Sequence, residues 1–254
     1  MKRNSIRYRL AGLLAAVMLL LPSCIRKEPY LYNKETYTYR TAVNESVLTT
    51  ELDPTYLYLA NKQHPVGEDY DPGTLVTLGS PYTPKSNIRL ESRTAQALYA
   101  MINEMRADGV TDIFVTSAYR TLSYQQYLYD KYIADEEAKG LSHAEAVSRA
   151  ERYSAPPGYS EHQTGFVVDF MTSAMSDLDE SFERTDAFRW LSANCYRFGF
   201  ILRYPKSADK IEITGYDYEP WHYRFVGREA ATEIMKRNIT LEEFLELDFQ
   251  AAKK

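Results

Sequence analysis

The sequence predicts a single α+β domain in which a mainly antiparallel sheet is flanked by helices. Short apolar runs at 113–117 and 166–168 are typical of buried strands, whereas residues 92–108 repeat their apolar side chains with the spacing of an amphipathic helix. Strand and helix patterns follow one another without an internal repeat or a second linker. The roughly 200 residues from position 52 onward suit one domain with a sizeable core.

Apolar spacing and end signals predict six helices. The helix at 92–108 has one apolar face and ends at Gly109, because glycine readily adopts the left-handed conformation that closes a helix. Ser142 opens another helix, and Glu145 completes a capping box with it. The other predicted helices lie at 124–138, at 186–198 with Gly199 behind it, at 228–238, and in a short terminal segment that begins at Thr240.

Three further segments are predicted to contribute strands. Residues 200–204 form an apolar run, and 211–214 is predicted to form a hairpin with 218–226. The polar loop at 171–180 is expected to rim a cleft. Together with the two buried runs already named, these strands make up the predicted sheet.

The N-terminus has the pattern of an export signal. Four basic residues lie within the first nine, and an apolar core follows at 10–21. Such a core is shorter than the roughly twenty residues of a transmembrane helix, so we predict a signal peptide over 1–23. Residues 21–24 resemble the lipobox of bacterial lipoproteins, which predicts export to the cell envelope and a membrane anchor through a lipid on Cys24. The alternative is an ordinary cleaved signal in which Cys24 has no special role.

Residues 24–51 are predicted to be a tether between the membrane and the domain at 52–254. They are polar, rich in Tyr, Thr, Asn and Glu, and have no clear period. An ordered extra strand at 37–39 is the alternative.

Charge and cysteine content exclude several classes of protein. The chain has 30 basic and 35 acidic residues; loss of 1–23 removes four basic residues and leaves 26 against 35, a net charge near −9. Binding to nucleic acid, or to an anionic membrane by charge, is therefore not expected. Cys195 falls in an apolar helical pattern and is predicted to be a buried structural thiol. If Cys24 carries a lipid, Cys195 has no disulfide partner.

Three widely spaced residues have the chemistry of metal ligands. His162, Asp169 and His222 would supply two imidazoles and one carboxylate, a set that suits zinc and leaves a fourth position for water. Glu219 would then be an unligated carboxylate that can take a proton from that water. Spacing alone leaves an alternative open, in which the histidines are structural or solvated and the aspartate caps a turn.

The predicted metal site requires two breaks in the chain. A straight strand would separate His162 from Asp169 by about 23 Å at roughly 3.3 Å per residue, so the chain must turn back, and 164–165 is the predicted turn. The carboxylate and the imidazole of the second segment would face opposite sides of a regular strand. Pro220, which lies between them, is the predicted break.

A close resemblance to the VanY-type D-alanyl-D-alanine carboxypeptidases lies in two segments, SEHQTGFVVD at 160–169 and YEPWHYR at 218–224. These peptidases belong to a zinc superfamily that includes lysostaphin-like enzymes and the hedgehog signalling domain. The resemblance covers about residues 52–246 and implies one zinc-peptidase domain of the hedgehog/DD-peptidase type.

The resemblance implies a role for each residue of the predicted metal site. Zinc would be bound by His162, Asp169 and His222, and Glu219 would act as the general base; all four positions match the family motifs. Val167 departs from the family, which more often has alanine there. This is a small apolar change within a predicted strand.

The resemblance also assigns residues around a substrate. Residues 117–120 resemble the family's Ser-x-Tyr-Arg motif, whose arginine, here Arg120, helps to stabilise the reacting carbonyl oxygen. The alternative is an arginine paired with a surface carboxylate. Gln125 matches a position that touches the substrate, and the adjacent Gln126 is the alternative. Ser160 is expected either to bind substrate or to fix its loop. The expected substrate contacts are Ser117, Tyr119, Gln125, Ser160 and Trp221.

The start of the domain is predicted from the same resemblance. It implies a strand from Leu57 and then a proline-containing loop at 69–73. His64 lies beside a proline in this region and is expected to be solvated rather than to bind metal.

The function implied by the resemblance is that of a zinc-dependent carboxypeptidase. It would remove the C-terminal D-alanine from peptidoglycan stem peptides, with Glu219 moving the proton and Arg120 stabilising the oxyanion. One alternative is an L,D-carboxypeptidase that acts on tetrapeptide stems with the same residues. The other is a non-catalytic, zinc-containing module that binds the cell wall, against which the intact Glu219 and Arg120 argue.

Overall fold

The computed structural model describes residues 36–67 and 69–251, which form an α+β domain as predicted. The strands are β1 (Leu75–Thr77), β2 (Arg89–Glu91), β3 (Phe114–Ser117), β4 (Val167–Met171), β5 (Phe200–Leu202) and β6 (His222–Phe225). The α-helices are α1 (Glu45–Leu48), α2 (Ser92–Ala107), α3 (Leu122–Glu137), α4 (His143–Ala150), α5 (Asp186–Asn194), α6 (Ala208–Thr214), α7 (Arg228–Arg237) and α8 (Leu241–Ala251). Short 3₁₀ helices occur at Glu161–Thr164, Glu180–Arg184 and Cys195–Phe198.

An antiparallel sheet in the order β3-β4-β6-β5 forms the centre of the domain, and β1 pairs with β2 in a separate ribbon. Successive side chains of a strand point to opposite faces. Val168 and Phe170 of β4 therefore lie in one hydrophobic core with Tyr223 and Phe225 of β6 and with side chains of α2, α5 and α7. The intervening residues of these strands point to the other face, where the polar side chains concentrate.

The register of the strands places several polar residues in one row across the sheet. Ser117 of β3 lies opposite Asp169 of β4, and Asp169 lies opposite His222 of β6. Beyond β5, the backbone N–H of Arg203 donates to the carbonyl of His222. Opposed residues of antiparallel strands are separated by about 4.5–5.5 Å between Cα atoms. Two of the predicted metal ligands are therefore direct cross-strand neighbours.

The six predicted helices are confirmed in type and nearly in extent. Ser142 and Glu145 form the predicted capping box of α4. The helix α5 ends before its predicted end because the chain tightens into the 3₁₀ helix Cys195–Phe198. Gly199 follows with a φ of 81°, and a Cβ there would lie 2.6 Å from the ring of Phe225. Both its conformation and its packing therefore require glycine.

The predicted hairpin strand at 211–214 is wrong. Ala208–Thr214 is the helix α6, which begins after Ser207 and ends at Gly215 in the left-handed conformation. Ile213 is exposed, so the apolar alternation of this segment does not mark a buried strand face. The strand β6 pairs with β4 and β5 instead.

The second half of the predicted tether at 24–51 packs against the domain. Leu48 of α1 is fully buried. The buried carboxylate of Glu104 in α2 accepts hydrogen bonds from the backbone N–H groups of residues 40–41. A buried carboxylate requires such donors, which explains why this polar segment is held against the domain. Residues 37–39 form no strand.

The segment that begins at Leu57 forms turns rather than the predicted strand. The side chain of Asn61 accepts hydrogen bonds from the backbone N–H groups of Gln63 and His64, and this local bonding favours a turn. His64 is exposed, as predicted.

The predicted signal peptide at 1–23 and Cys24 lie outside the described residues. Among the helices of the described chain, none combines the length and the apolar character needed to cross a membrane.

The buried thiol of Cys195 gives a first testable prediction. Burial raises the pKa of Cys195 to about 12, and the thiolate is the reactive form. In a Cys24→Ser chain Cys195 is the sole cysteine. We expect Ellman's reagent to detect almost no thiol in this folded variant at pH 8 and about one thiol per chain after unfolding in guanidinium. Rapid, complete reaction of the folded variant would contradict the predicted burial.

Candidate metal centre and active site

Three side chains converge at the centre of the polar face. His162 comes from the 3₁₀ helix Glu161–Thr164, Asp169 from β4 and His222 from the first position of β6. Each offers one ligand atom, and these atoms lie within 4.8 Å of one another. The three side chains are almost fully buried, so their polar atoms depend on one another or on a bound ion.

The turn that brings His162 back to Asp169 lies where it was predicted. The Oγ of Ser160 accepts the backbone N–H of His162 and caps the 3₁₀ helix. The helix then ends at Gly165 with a φ of 80°, a left-handed conformation that reverses the chain into β4. This reversal removes the long separation that a straight strand would impose.

The predicted break at Pro220 is also confirmed. Residues 220–221 form a turn before β6, and the backbone N–H of His222 donates to the carbonyl of Glu219. The turn brings both side chains to one side of the sheet, where Oε2 of Glu219 lies 3.3 Å from Nδ1 of His222. A regular strand would have directed them to opposite faces.

Hydrogen bonding defines which nitrogen of His162 is free to bind a metal. Its Nδ1 lies 2.7 Å from the carbonyl oxygen of Ala118, which can only accept, so Nδ1 carries the proton. The Nε2 lone pair is then free, and Nε2 lies 3.3 Å from Oδ2 of Asp169. On the other side, Nδ1 of His222 lies 3.3 Å from Oδ1 of Asp169.

The donor set fits a zinc ion. Oδ1 of Asp169 is buried and has no hydrogen-bond partner among the described residues. A buried carboxylate oxygen without a donor is unfavourable unless a cation is bound next to it. Two imidazoles and one carboxylate with an open fourth position are a typical catalytic zinc set.

Burial and neighbouring charges alter the pKa values of the site. Burial, and then the Arg120 guanidinium, lower the pKa of His162 to about 3, so its imidazole is neutral at neutral pH. Burial would raise the pKa of Asp169, but the neighbouring histidines and Arg120 hold it well below its usual range. Burial raises the pKa of Glu219. The pKa of His222 is raised despite its burial, because three carboxylates surround its ring.

A cavity of about 620 Å³ opens over the three side chains. Asp177, Leu178 and Asp179 line one side of it, so the loop at 171–180 rims the cleft as predicted. Tyr204 and Tyr216 line it as well, although no motif in the sequence pointed to either tyrosine. The ring centroid of Tyr204 lies 4.7 Å from that of His222, so this tyrosine packs directly on a predicted ligand.

Arg120 lies beside the metal centre rather than at a surface ion pair. Its Nη2 donates to Oδ2 of Asp169 at 2.9 Å, and its Nε and Nη2 donate to Oγ of Ser117 at 3.0 and 2.8 Å. Its side chain is 14% exposed and lines the cavity. The pairing with a surface carboxylate, considered as an alternative, does not occur.

The other expected substrate contacts fall into two groups. Ser160 and Trp221 line the cavity, while Ser117 and Tyr119 line an adjoining groove of about 500 Å³. Gln125 lines neither: it is 1% exposed, and its Nε2 donates to the carbonyl of residue 155 at 2.8 Å. Its Oε1 lies 3.4 Å from Nη1 of Arg120. Gln125 is thus placed beneath the arginine rather than against a substrate.

Sequence reasoning assigned no role to Glu161. Its carboxylate is buried next to the ring of His222 and accepts hydrogen bonds from two buried arginines, Arg203 and Arg224. The sequence did contain one indication of this role. Glu161 directly precedes the predicted ligand His162, and Arg224 lies two positions after the predicted ligand His222. Arg203 carried no such signal.

Comparison with known proteins identifies the family. The family described as VanY: D-alanyl-D-alanine carboxypeptidase matches residues 87–228. The D-alanyl-D-alanine carboxypeptidase of Enterococcus faecalis (strain ATCC 700802 / V583) is 42% identical over 189 residues, which are 74% of this chain. The chain spans 65% of the length of that relative.

Two solved structures are also similar. A vancomycin resistance D,D-pentapeptidase VanY mutant from the VanB-type resistance cassette, in complex with Zn(II), is 41% identical with a TM-score of 0.65, covering 75% of this chain and 99% of its own. The LdcB LD-carboxypeptidase is 33% identical with a TM-score of 0.66, covering 76% of this chain and 87% of its own. The metal in that complex is the one that the His162, Asp169 and His222 donor set of this chain fits. By sequence and by structure, the chain belongs to the VanY family of D-alanyl-D-alanine carboxypeptidases.

Proposed function

We propose that this protein is a zinc-dependent carboxypeptidase that removes the C-terminal D-alanine from peptidoglycan stem peptides. The observation that carries the proposal is the buried carboxylate of Glu219 next to His222, outside the three-residue ligand set and facing the cavity. A carboxylate in that place has no evident structural role. The similarity to the D-alanyl-D-alanine carboxypeptidase of Enterococcus faecalis supports the substrate.

Glu219 is the proposed general base. His162, Asp169 and His222 would hold a zinc ion, which would supply Lewis acidity at this site. Glu219 takes the proton from the attacking water and then gives it to the leaving amine. Its raised pKa, a result of burial, makes the carboxylate a stronger base than an exposed glutamate.

Arg120 is the proposed donor to the oxyanion. A guanidinium has five N–H groups. Those on Nε and Nη2 are directed at Ser117 and Asp169, and one on Nη1 is directed at Gln125. The remaining Nη1–H is available to the reacting carbonyl oxygen, where a fixed positive charge stabilises the developing negative charge.

L,D-carboxypeptidase activity on tetrapeptide stems is the second candidate. The similarity to the LdcB LD-carboxypeptidase supports it, because the catalytic residues proposed here would serve either reaction. The two activities can be distinguished by incubating the protein with synthetic pentapeptide and tetrapeptide stems and identifying the products by mass spectrometry. Release of D-alanine from the pentapeptide is the result expected for the favoured activity.

We also infer that the protein is exported and anchored to the membrane through a lipid on Cys24. The support is the sequence pattern alone: a basic region, a short apolar core and a lipobox-like segment at 21–24. Peptidoglycan lies outside the cytoplasmic membrane, where such an anchor would hold the enzyme.

Removal of one ligand tests the zinc site. We expect elemental analysis to find about one zinc per chain in the wild type and almost none in His222→Ala. His143→Ala is the matched control, because His143 is exposed, pairs with Glu137 and does not line the cavity. A wild-type protein that hydrolyses stems equally well without metal would contradict the proposal.

Substitution of Glu219 tests the proposed base. Glu219→Gln keeps the shape of the side chain but cannot accept the proton, so turnover of stems should fall by about 10²–10⁴. Zinc content and stem binding should be retained because the ligands are unchanged. The exposed Glu212 of α6 provides the control, since Glu212→Gln should keep wild-type turnover.

Two outcomes would count against this account. Wild-type turnover in Glu219→Gln would remove Glu219 from the mechanism. A wild type that binds stems but cleaves neither pentapeptide nor tetrapeptide would favour a non-catalytic cell-wall-binding module.

Fractionation of cells tests the anchor. Cys24→Ser should move the protein from the membrane fraction to the soluble fraction, because no lipid can then be attached. Cys195→Ala should remain with the membrane. If the wild type is already soluble outside the cell, the lipid anchor is wrong.

A further inference from the structure

A buried cluster of charged side chains adjoins the metal centre and has no part in the proposed reaction. Its central member is Glu161, which is 2% exposed and directly precedes His162. One of its oxygens, Oε1, accepts from Nε of Arg203 at 2.8 Å and from Nη1 of Arg224 at 3.0 Å. Both guanidiniums are buried. A single carboxylate oxygen of Glu161 therefore accepts hydrogen bonds from both guanidinium groups.

The other oxygen of Glu161 faces the ring of His222. Oε2 lies 3.6 Å from Nε2 of His222, and neither atom has a hydrogen-bond partner within the described part of the chain. The separation is longer than a hydrogen bond, and a shift of about 0.5 Å would bring it into range. An acceptor and a potential donor that are both buried, unpartnered and directed at each other indicate a specific pairing.

The far side of the cluster holds both arginines in fixed orientations. Nη1 and Nη2 of Arg203 donate to the two oxygens of Glu242 in α8 at 2.8 and 2.6 Å. Nη2 of Arg224 donates to the carbonyl oxygens of Tyr56 and Tyr58. Two guanidiniums and two carboxylates balance in charge, so the cluster buries no net charge. The two arginines that bind Glu161 are therefore oriented by α8 and by the segment at 56–58, both of which are distant from Glu161 in sequence.

We propose that Glu161 is a positioning residue for the zinc ligand His222. Its Oε2 accepts the proton on Nε2 of His222, which leaves the lone pair on Nδ1, the nitrogen that faces Asp169. The orientation and the tautomer of a ligating histidine are set by the partner of its other ring nitrogen. The inference rests on the zinc site of the proposed function.

The two histidine ligands are then held in opposite tautomers. His162 carries its proton on Nδ1, which donates to the carbonyl of Ala118, and presents Nε2. His222 carries its proton on Nε2, opposite Glu161, and presents Nδ1. The difference follows from the acceptor that the fold places behind each ring.

Glu161→Gln should disturb this arrangement through hydrogen bonding alone. The two guanidiniums can only donate, so the amide oxygen of the new side chain should face them. Its NH₂ group then points at Nε2 of His222, where two donors would meet. The ring relieves this by placing its proton on Nδ1, which blocks the atom that binds the metal.

The test is a zinc titration of the full chain against a chelator of known affinity. We expect Glu161→Gln to bind zinc about 10–100-fold more weakly than the wild type. Glu242→Gln is the matched control: it removes a buried carboxylate from the same Arg203 but does not face His222. This control should lose thermal stability and keep wild-type zinc affinity within about threefold.

Nitrogen-15 NMR of histidine-labelled wild-type protein loaded with zinc gives a second readout, which does not depend on how well the variants fold. The expected spectrum has the proton of His222 on Nε2 and that of His162 on Nδ1. A proton on Nδ1 of His222, or equal zinc affinity in Glu161→Gln and Glu242→Gln, would overturn the inference alone. Absence of zinc binding in the wild type would overturn the proposed function together with it.

Discussion

The pairing of Asp169 with His222 across β4 and β6 is the constraint on which the site depends. Antiparallel register makes these residues direct neighbours, and a one-residue slip of either strand would turn the ligand on that strand toward the apolar core. The same row contains Ser117, which holds the guanidinium of Arg120. The sheet therefore fixes two ligands and the support of the proposed oxyanion donor at once. The tight turn that ends at Gly165 brings the third ligand, His162, next to these two residues.

The second requirement is charge balance among the buried side chains of the site. Asp169 is paired with Arg120, while Glu161 is paired with Arg203 and Arg224. Each pairing keeps a buried carboxylate ionised where burial alone would favour the neutral acid. Removal of one partner of a buried ion pair typically costs about 3–5 kcal/mol, because the remaining charge is then less well compensated. The metal centre is thus surrounded by fixed charges.

The sequence was informative where chemistry depends on residues close together in the chain. The ligand motifs, the turn before Gly165, the break at Pro220 and the helix caps are local features, and their positions agree with the structure. The hairpin at 211–214 failed because a short apolar alternation fits either a strand or a capped helix. Elsewhere the outcome depended on tertiary packing: Gln125 is buried by a loop about thirty residues away, and the first described residues are held by the distant Glu104.

An anomalous difference map recorded at the zinc edge from crystals of the full, zinc-loaded chain is the sharpest test of the proposed zinc ligands. One strong peak is expected within bonding distance of Nε2 of His162, Oδ1 of Asp169 and Nδ1 of His222, with Glu219 outside the coordination sphere. A peak that excludes one of the three ligands, or that is bound directly by Glu219, would contradict the proposed ligand set.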